Sequence, residues 1–343
     1  MQQPINDSKI NDLIQELSQT LQPTNAAGRD YISDMLTTIS KFAHESADIG
    51  DMKLINTTLK ELRYSFKLFA PFRDTRKVCI FGSARTKETI PEYQMARDFA
   101  EKITQKGFLI ITGAGSGIME AGNRGAKFKS SFGVNIQLPF EQNPNPYIID
   151  DEKLMTFKYF FNRKVVFIKE SDATVLFPGG YGTHDEAFEN LTLIQTGKCA
   201  PRPIILLAAE DNSYWQRWLE FVTGELLDKA FICEDDLSLF TITKDVDHAV
   251  HQIENFYRIY HSIRYFKDTT ILRLNKELPD KFIEALNQEF QDITISGIIE
   301  KIKNSQIDSD RLPDKPRIAF HFDRMHYGRL MEMIRWINMF EYY

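Results

Sequence analysis

Residues 173–177 form a short apolar, β-prone run that passes without a spacer into Pro178-Gly179-Gly180-Tyr181-Gly182-Thr183-His184-Asp185-Glu186, and a helical pattern follows. Few architectures accept that order. A buried strand that ends in a glycine-rich turn and opens a helix is the βα unit of a parallel sheet, with the turn at its carboxyl edge. Gly179, Gly180 and Gly182 allow backbone angles closed to other residues and bring bare N–H groups against an anion. The helix behind adds its unsatisfied first-turn donors and the positive end of its dipole. The turn therefore reads as a phosphate cradle. Glu186 is out of character in it, because a carboxylate repels phosphate. It makes sense facing another part of a ligand, such as ribose hydroxyls or a developing positive charge.

The surrounding pattern agrees with a parallel sheet. Strands are predicted over 78–82, 108–112, 133–138, 173–177, 204–208 and 238–242. Helices are predicted over 92–106, 117–128, 159–169, 183–196, 214–228 and 245–260. Alternation of this kind implies right-handed crossovers and a doubly wound, Rossmann-like α/β fold. The loops 82–85, 113–119 and 178–186 each follow a strand, so all three should meet in one crevice. Before this region, helical patterns over 7–20, 28–48 and 51–69 carry two apolar stripes: Leu13, Ile14, Leu17 and Leu21, and Leu54, Leu59, Leu62, Phe66 and Leu68. Pro71 follows as the stop signal. After it, strands over 269–274, 292–300 and 317–322 and helices over 279–290 and 327–340 suggest a small α+β unit of βαββα type. The expected domains are 1–72, 73–263 and 264–343.

Composition closes off other classes. With 43% apolar and 26% charged residues the chain is that of a globular protein, not a disordered one. Forty-two basic against 48 acidic side chains leave a net charge of −6, which argues against a nucleic-acid or anionic-membrane partner and for a small one. The N-terminal residues lack a basic and an apolar leader region, and no run approaches the ~20 apolar residues of a membrane span, so a cytoplasmic location is expected. Cys79, Cys199 and Cys233 are too few and too scattered for a disulfide framework or a metal site and read as reduced packing thiols. The histidines have no ligand spacing, so no metal is expected, and no cofactor is called for. Trp215 and Trp218 read as core.

Gly113-Ala114-Gly115-Ser116-Gly117 fails the dinucleotide fingerprint. Its third glycine would fall on Ile118, and strand three ends in Gln137-Leu138-Pro139 with no acidic residue for a ribose hydroxyl. No Gly-Lys-Ser/Thr makes it a P-loop. Two readings stand: a turn that approaches a nucleotide closely, or a tight βα turn with glycines for packing alone. Ser116 lacks the glycines of a nucleophile elbow, so a hydrolase triad with His184 and Asp185 is not supported. Arg163 and Lys164 stand at the start of a predicted helix, where cations oppose the dipole by about 0.3–1 kcal/mol. A bound anion would compensate; the alternative is a solvated pair.

Pro178-Gly179-Gly180-Tyr181-Gly182-Thr183-x-x-Glu186, the upstream Arg163-Lys164, Phe81-Gly82-Ser83 and Gly113-x-Gly115-x-Gly117-x-Met119-Glu120-Ala121 together resemble the Lonely Guy family, phosphoribohydrolases once misnamed lysine decarboxylases. The resemblance covers about residues 77–260 and matches the family's P-G-G-x-G-T-x-x-E at every fixed position. It implies hydrolysis of a nucleoside 5′-monophosphate, AMP or an N6-substituted cytokinin form, to free base and ribose 5-phosphate. The family's catalytic Arg and Glu fall on Arg163 and Glu186. Gly179, Gly180, Gly182 and Thr183 would hold the phosphate. Ser83, Arg85, Gly115, Ser116 and Met119 would line the other side, with Lys164 a further substrate contact. A homodimer or higher homo-oligomer is implied as well. The helical N-terminus and the last 75 or so residues resemble a longer bacterial branch, which favours general purine nucleotide turnover. The alternative is a protein that binds a nucleotide or cofactor without cleaving it.

Overall fold

Short, mostly apolar runs of three to six residues become the strands of a seven-stranded sheet in the computed structural model, which describes residues 7–21, 26–45, 48–127, 130–139, 143–303 and 312–340. The chain divides into two compact units, 1–63 and 64–343. The first is helical: α1 (Asp7–Thr20), α2 (Ala26–His44) and most of α3 (Ile49–Phe69). Of the predicted α1 stripe only Ile14 is buried, while Leu13, Leu17 and Leu21 are exposed. The last turn of α3 belongs to the second unit, where Phe69 stacks on Phe132 at 4.4 Å.

The second unit contains β1 (Lys77–Phe81), α4 (Pro91–Gln105), β2 (Leu109–Thr112), α5 (Ile118–Ala126), β3 (Ser131–Ile136), β4 (Leu154–Phe157), α6 (Phe160–Glu170), β5 (Ala173–Leu176), α7 (Tyr181–Gln195), β6 (Ile204–Leu207), α8 (Tyr214–Phe221), β7 (Thr241–Thr243) and α9 (Val246–Phe256). All strand pairs are parallel, in the order β4-β3-β2-β1-β5-β6-β7. The doubly wound fold is thus as expected. One face packs α4, α5 and α9 through Val78, Ile80, Phe99, Ile103, Val175 and Ile253; Phe81 meets Phe167 of α6 on the other at 4.8 Å. Successive connections run from β1 outward to β4 and then return to β5 on the opposite flank of β1. The carboxyl ends of β1 and β5 therefore border the crevice where such sheets bind ligands.

A four-stranded antiparallel sheet follows in the order β10-β11-β9-β8, from β8 (Tyr260–Phe266), β9 (Thr269–Leu274), β10 (Glu300–Lys301) and β11 (Arg317–Phe320), with α10 (Asp280–Glu289) and α11 (Tyr327–Asn338). Here the sequence reading needs correction. The strand β8 was not expected, its first residue Tyr260 having been read as the last of a helix, and the expected strand over 292–300 is a 3-10 turn, Gln291–Ile293, with only two residues of strand beyond it. Asn287 of α10 explains the second: its side chain accepts from Ile299 N at 2.7 Å and donates to Ile299 O at 2.8 Å, occupying backbone groups that a ladder would need. Likewise, the strand expected over 238–242 starts as the 3-10 helix Glu234–Leu239, because Asp236 accepts from Cys233 N at 2.8 Å and caps it. The edge strand β4 was not expected. Cys79 alone of the three free thiols is a packing thiol; Cys199 is half-buried and Cys233 exposed. Trp215 and Trp218 are buried as expected.

Asn338 of α11 ties the end of α9 to the start of β8. Its Oδ1 accepts from Ile259 N at 2.7 Å and Tyr260 N at 3.1 Å, and its Nδ2 donates to Phe256 O and Ile334 O, all with the residue fully buried. Asn338→Ala orphans these groups and is expected to lower stability by about 1–3 kcal/mol, read as a lower urea midpoint at unchanged slope. Among the described residues no helix is long and apolar enough to cross a membrane.

Candidate functional site

A cleft of about 800 Å³ opens at the crevice between the ends of β1 and β5. Ser83, Arg85, Met119, Arg163, Gly179, Gly180, Gly182, Thr183 and Glu186 line it, together with Phe160, Asn135 and Leu138. Gly115, Ser116 and Lys164 do not. Sequence-distant motifs are thus brought together, with three of the expected contacts displaced.

Two of the displaced residues, Gly115 and Ser116, hold the loops. Ser116 Oγ donates to Ala84 O at 2.8 Å, and Ile118 N donates to Ser83 O at 3.2 Å, tying the second glycine turn to the first loop. Gly117 sits at φ +67°, and a Cβ there would lie 2.3 Å from Ser83 O, so glycine is required both for angle and for approach. Gly115 O accepts from Asn145 Nδ2 at 3.0 Å within a buried network. Asn145 also donates to Ala114 O and to Asn123 Oδ1, while Thr112 Oγ1 donates to Asn123 Oδ1 and accepts from Ala114 N. Sequence reasoning missed Asn145. The repeated Asn-Pro pairs of Asn143-Pro144-Asn145-Pro146 were the available signal, since such pairs mark fixed turns. Asn145→Ala is expected to lower the melting temperature through lost buried bonds worth about 1–3 kcal/mol, measured by calorimetry.

The cradle itself is packed tightly on one side and open on the other. A Cβ on Gly179 would lie 2.0 Å from Thr183 Oγ1 and 3.0 Å from Ser83 N, whereas Cβ atoms on Gly180 or Gly182 would meet nothing within 4 Å. Thr183 N and His184 N donate to Gly180 O, and the Tyr181 and Gly182 amides remain as first-turn donors of α7 without an intrahelical acceptor. Ser83 N donates to Pro178 O at 3.1 Å and locks the two loops together. Tyr214, which the sequence did not single out, donates to Gly179 O at 2.5 Å and lies 2.7 Å from His184 Nε2. Tyr214 has one proton and a carbonyl can only accept, so Nε2 of His184 carries the proton and donates to Tyr214. Burial lowers the His184 pKa and keeps the ring neutral. It is a prop for the cradle.

Glu186 and Arg163 supply the charges. Glu186 is 5% exposed; burial pushes its carboxyl up to about 7, against the lowering influence of Lys164 and Arg163. Its Oε2 is enclosed and makes no hydrogen bond, and neither does Arg163 Nε. Burial lowers the Arg163 pKa, with Glu186 acting against it, and a guanidinium stays protonated through such a shift. Phe160 and Phe167 flank its cationic carbon at 5.6 and 5.2 Å. Behind Glu186, Asn190 Nδ2 donates to its carbonyl at 2.7 Å, and Asn190 Oδ1 accepts from Thr174 and from Arg202. Arg202 also donates to Ile168 O and Ser171 O at the end of α6, so one buried guanidinium fixes α6 against α7. Among the described residues no cluster of three or more His, Cys, Asp or Glu is placed to hold a metal ion.

Residues 112–253 match a protein family described as "Possible lysine decarboxylase". The match covers under half of the chain, and this stretch is similar to that family. The family match starts at the end of β2, so it includes the Arg163 and Glu186 region and both later loops but not Gly82 to Arg85. Over 94 residues the chain is 35% identical to a probable cytokinin riboside 5′-monophosphate phosphoribohydrolase, LOGL9, of Oryza sativa subsp. japonica. That alignment covers 27% of this chain and 40% of the rice protein. An uncharacterized protein of Archaeoglobus fulgidus is 34% identical over 94 residues, covering 27% of this chain and 60% of its own length. The alignments thus span about half the length of these relatives. The molybdenum cofactor binding protein of Rippkaea orientalis is similar at 18% identity and a TM-score of 0.38, over 52% of this chain and 96% of its own. Nothing about a ligand follows from a likeness of that size.

Proposed function

We propose that this protein is a member of the Lonely Guy family and hydrolyses the N-glycosidic bond of a nucleoside 5′-monophosphate. The observation that carries the reading is one cleft in which open backbone amides stand beside a buried carboxylate and a half-buried arginine, each with an enclosed, unpartnered atom. The phosphate would sit on the Tyr181 and Gly182 amides at the start of α7, with Thr183 and Ser83 alongside. Breaking the C1′–N bond builds positive charge on the ribose and negative charge on the departing base. Ionised Glu186 faces the first and Arg163 the second. Water supplies the hydroxyl that ends on C1′ and the proton that ends on the base, giving free base and ribose 5-phosphate.

The rice relative's name supports an adenine-type base, AMP or an N6-substituted form, as substrate. The family's older description is not favoured, because a lysine decarboxylase needs a lysine for its Schiff base and none of the described residues lining the cleft is a lysine. A homodimer is the expected assembly, supported by the exposed Phe161 (46%) and Val165 (47%) of α6 and Phe188 (36%) of α7. Light scattering at a monomer mass would refute it.

Because Glu186 acts ionised and its carboxyl is pushed up to about 7, kcat/KM is expected to rise as pH increases toward 7 and to level above it. The decisive test is a panel of nucleoside 5′-monophosphates and their nucleosides, with free base followed by chromatography. Adenine from AMP but not from adenosine is the expected result. AMP that binds yet releases no base would replace this reading with nucleotide binding alone.

A further inference from the structure

Lys164 follows Arg163 on α6 and therefore points about 100° further round the helix. Arg163 lines the cleft, whereas Lys164 lines a separate cavity behind α6, beside Val165, Ile168 and Glu189. There its ammonium, on a side chain only 17% exposed, meets three carboxylates of α7: Glu189 at 2.7 Å, Asp185 at 2.9 Å and Oε1 of Glu186 at 3.5 Å. The other oxygen of Glu186, Oε2, is the enclosed and unpartnered one.

We propose that Lys164 is a positioning residue for Glu186: it holds Oε1 from behind the helix pair and offsets Asp185 and Glu189, so that Oε2 alone is presented to the cleft. The role rests on the nucleosidase reading and replaces a direct substrate contact for this lysine. The charged groups around Glu186 are few. From α6 come Arg163 and Lys164, and from its own helix Asp185 and Glu189. Cys79 of β1 also faces it, but burial pushes that thiol up to about 12 and leaves it neutral. Burial works against the charge on Lys164, yet its bonds to Glu189 and Asp185 raise its pKa above the ordinary value. Without Lys164, Glu186 is left with one cation and two like charges on its own helix. Its carboxyl must then rise further, and less of it is ionised at any given pH.

The test compares Lys164→Met, Lys164→Gln and Lys164→Arg. Titration of Glu186 in nucleotide-free protein is followed by carboxyl 13C NMR, with the Glu186 signal assigned by its loss in Glu186→Gln. Both neutral variants are expected to move the Glu186 inflection to higher pH and Lys164→Arg to return it toward the native position. With AMP, kcat/KM below the inflection should fall about tenfold per unit moved, through kcat, while KM stays within about twofold. An inflection unchanged in whichever neutral variant folds overturns the proposal, as does a rise in KM with kcat and inflection unchanged. The NMR measurement requires no turnover. A moved inflection in a protein that cleaves no nucleotide would refute the nucleosidase reading and keep the Lys164–Glu186 coupling; an unmoved one in a working nucleosidase would do the reverse.

Discussion

Glu186→Gln is expected to reduce base release by about 10²–10⁴-fold while AMP still binds, because it removes the charge facing the ribose and leaves the cradle of Gly179 to Thr183 as it is. The same change should stabilise the fold at alkaline pH. Glu186 titrates near 4.5 unperturbed and is raised to about 7 by burial, so between those values the native state holds more protons than the unfolded one. Stability therefore falls as pH rises through that window, and the penalty is fully present above about 7. Removing the ionisable group abolishes a penalty of up to about 3 kcal/mol there. Calorimetry of both proteins above and below the window reads it directly. A native rate from Glu186→Gln would remove the proposed role, and an equal melting temperature at high pH would mean that the carboxylate is not destabilised by burial.

Gly179→Ala is expected to have the other large effect. Its Cβ would lie 2.0 Å from Thr183 Oγ1 and 3.0 Å from Ser83 N, and the second of these is backbone locked to Pro178 O. Either α7 shifts away from β1 or the loop opens, at a cost of about 1–3 kcal/mol and with loss of the amide array. AMP affinity by calorimetric titration should fall below detection. Gly180→Ala is the control, since its Cβ meets open space within 4 Å and stability should change by less than about 0.5 kcal/mol. Equal melting temperatures for the two variants would sink the packing argument.

The contrast between these two glycines marks the limit of what could be read from the chain. The sequence determined the doubly wound sheet, because strands such as 173–177 and helices such as 183–196 alternate with a clear change of period, and apolar periodicity is a local property. It also determined that the glycine cradle with Glu186 shares one crevice with the loops 82–85 and 113–119, since strand-end loops in a parallel sheet converge, whereas Arg163 was placed there by the family resemblance. The C-terminal unit was less legible. Its short segments take their state from partners far along the chain, as when Asn287 claims the backbone of Ile299 or Asn338 that of Ile259 and Tyr260.

Only the tertiary structure decided which motif residues face the cleft. Lys164 and Arg163 are adjacent in sequence, yet the helix turns one toward the cleft and the other toward three carboxylates behind it. Ser116 and Gly115 sit in a matching motif but hold loops. The raised carboxyl of Glu186 is likewise a product of burial, to which α6, α7 and β1 contribute together. Residue identity and spacing set the period of each element. The direction of a side chain, and the charge it can keep there, depend on what the fold packs against it.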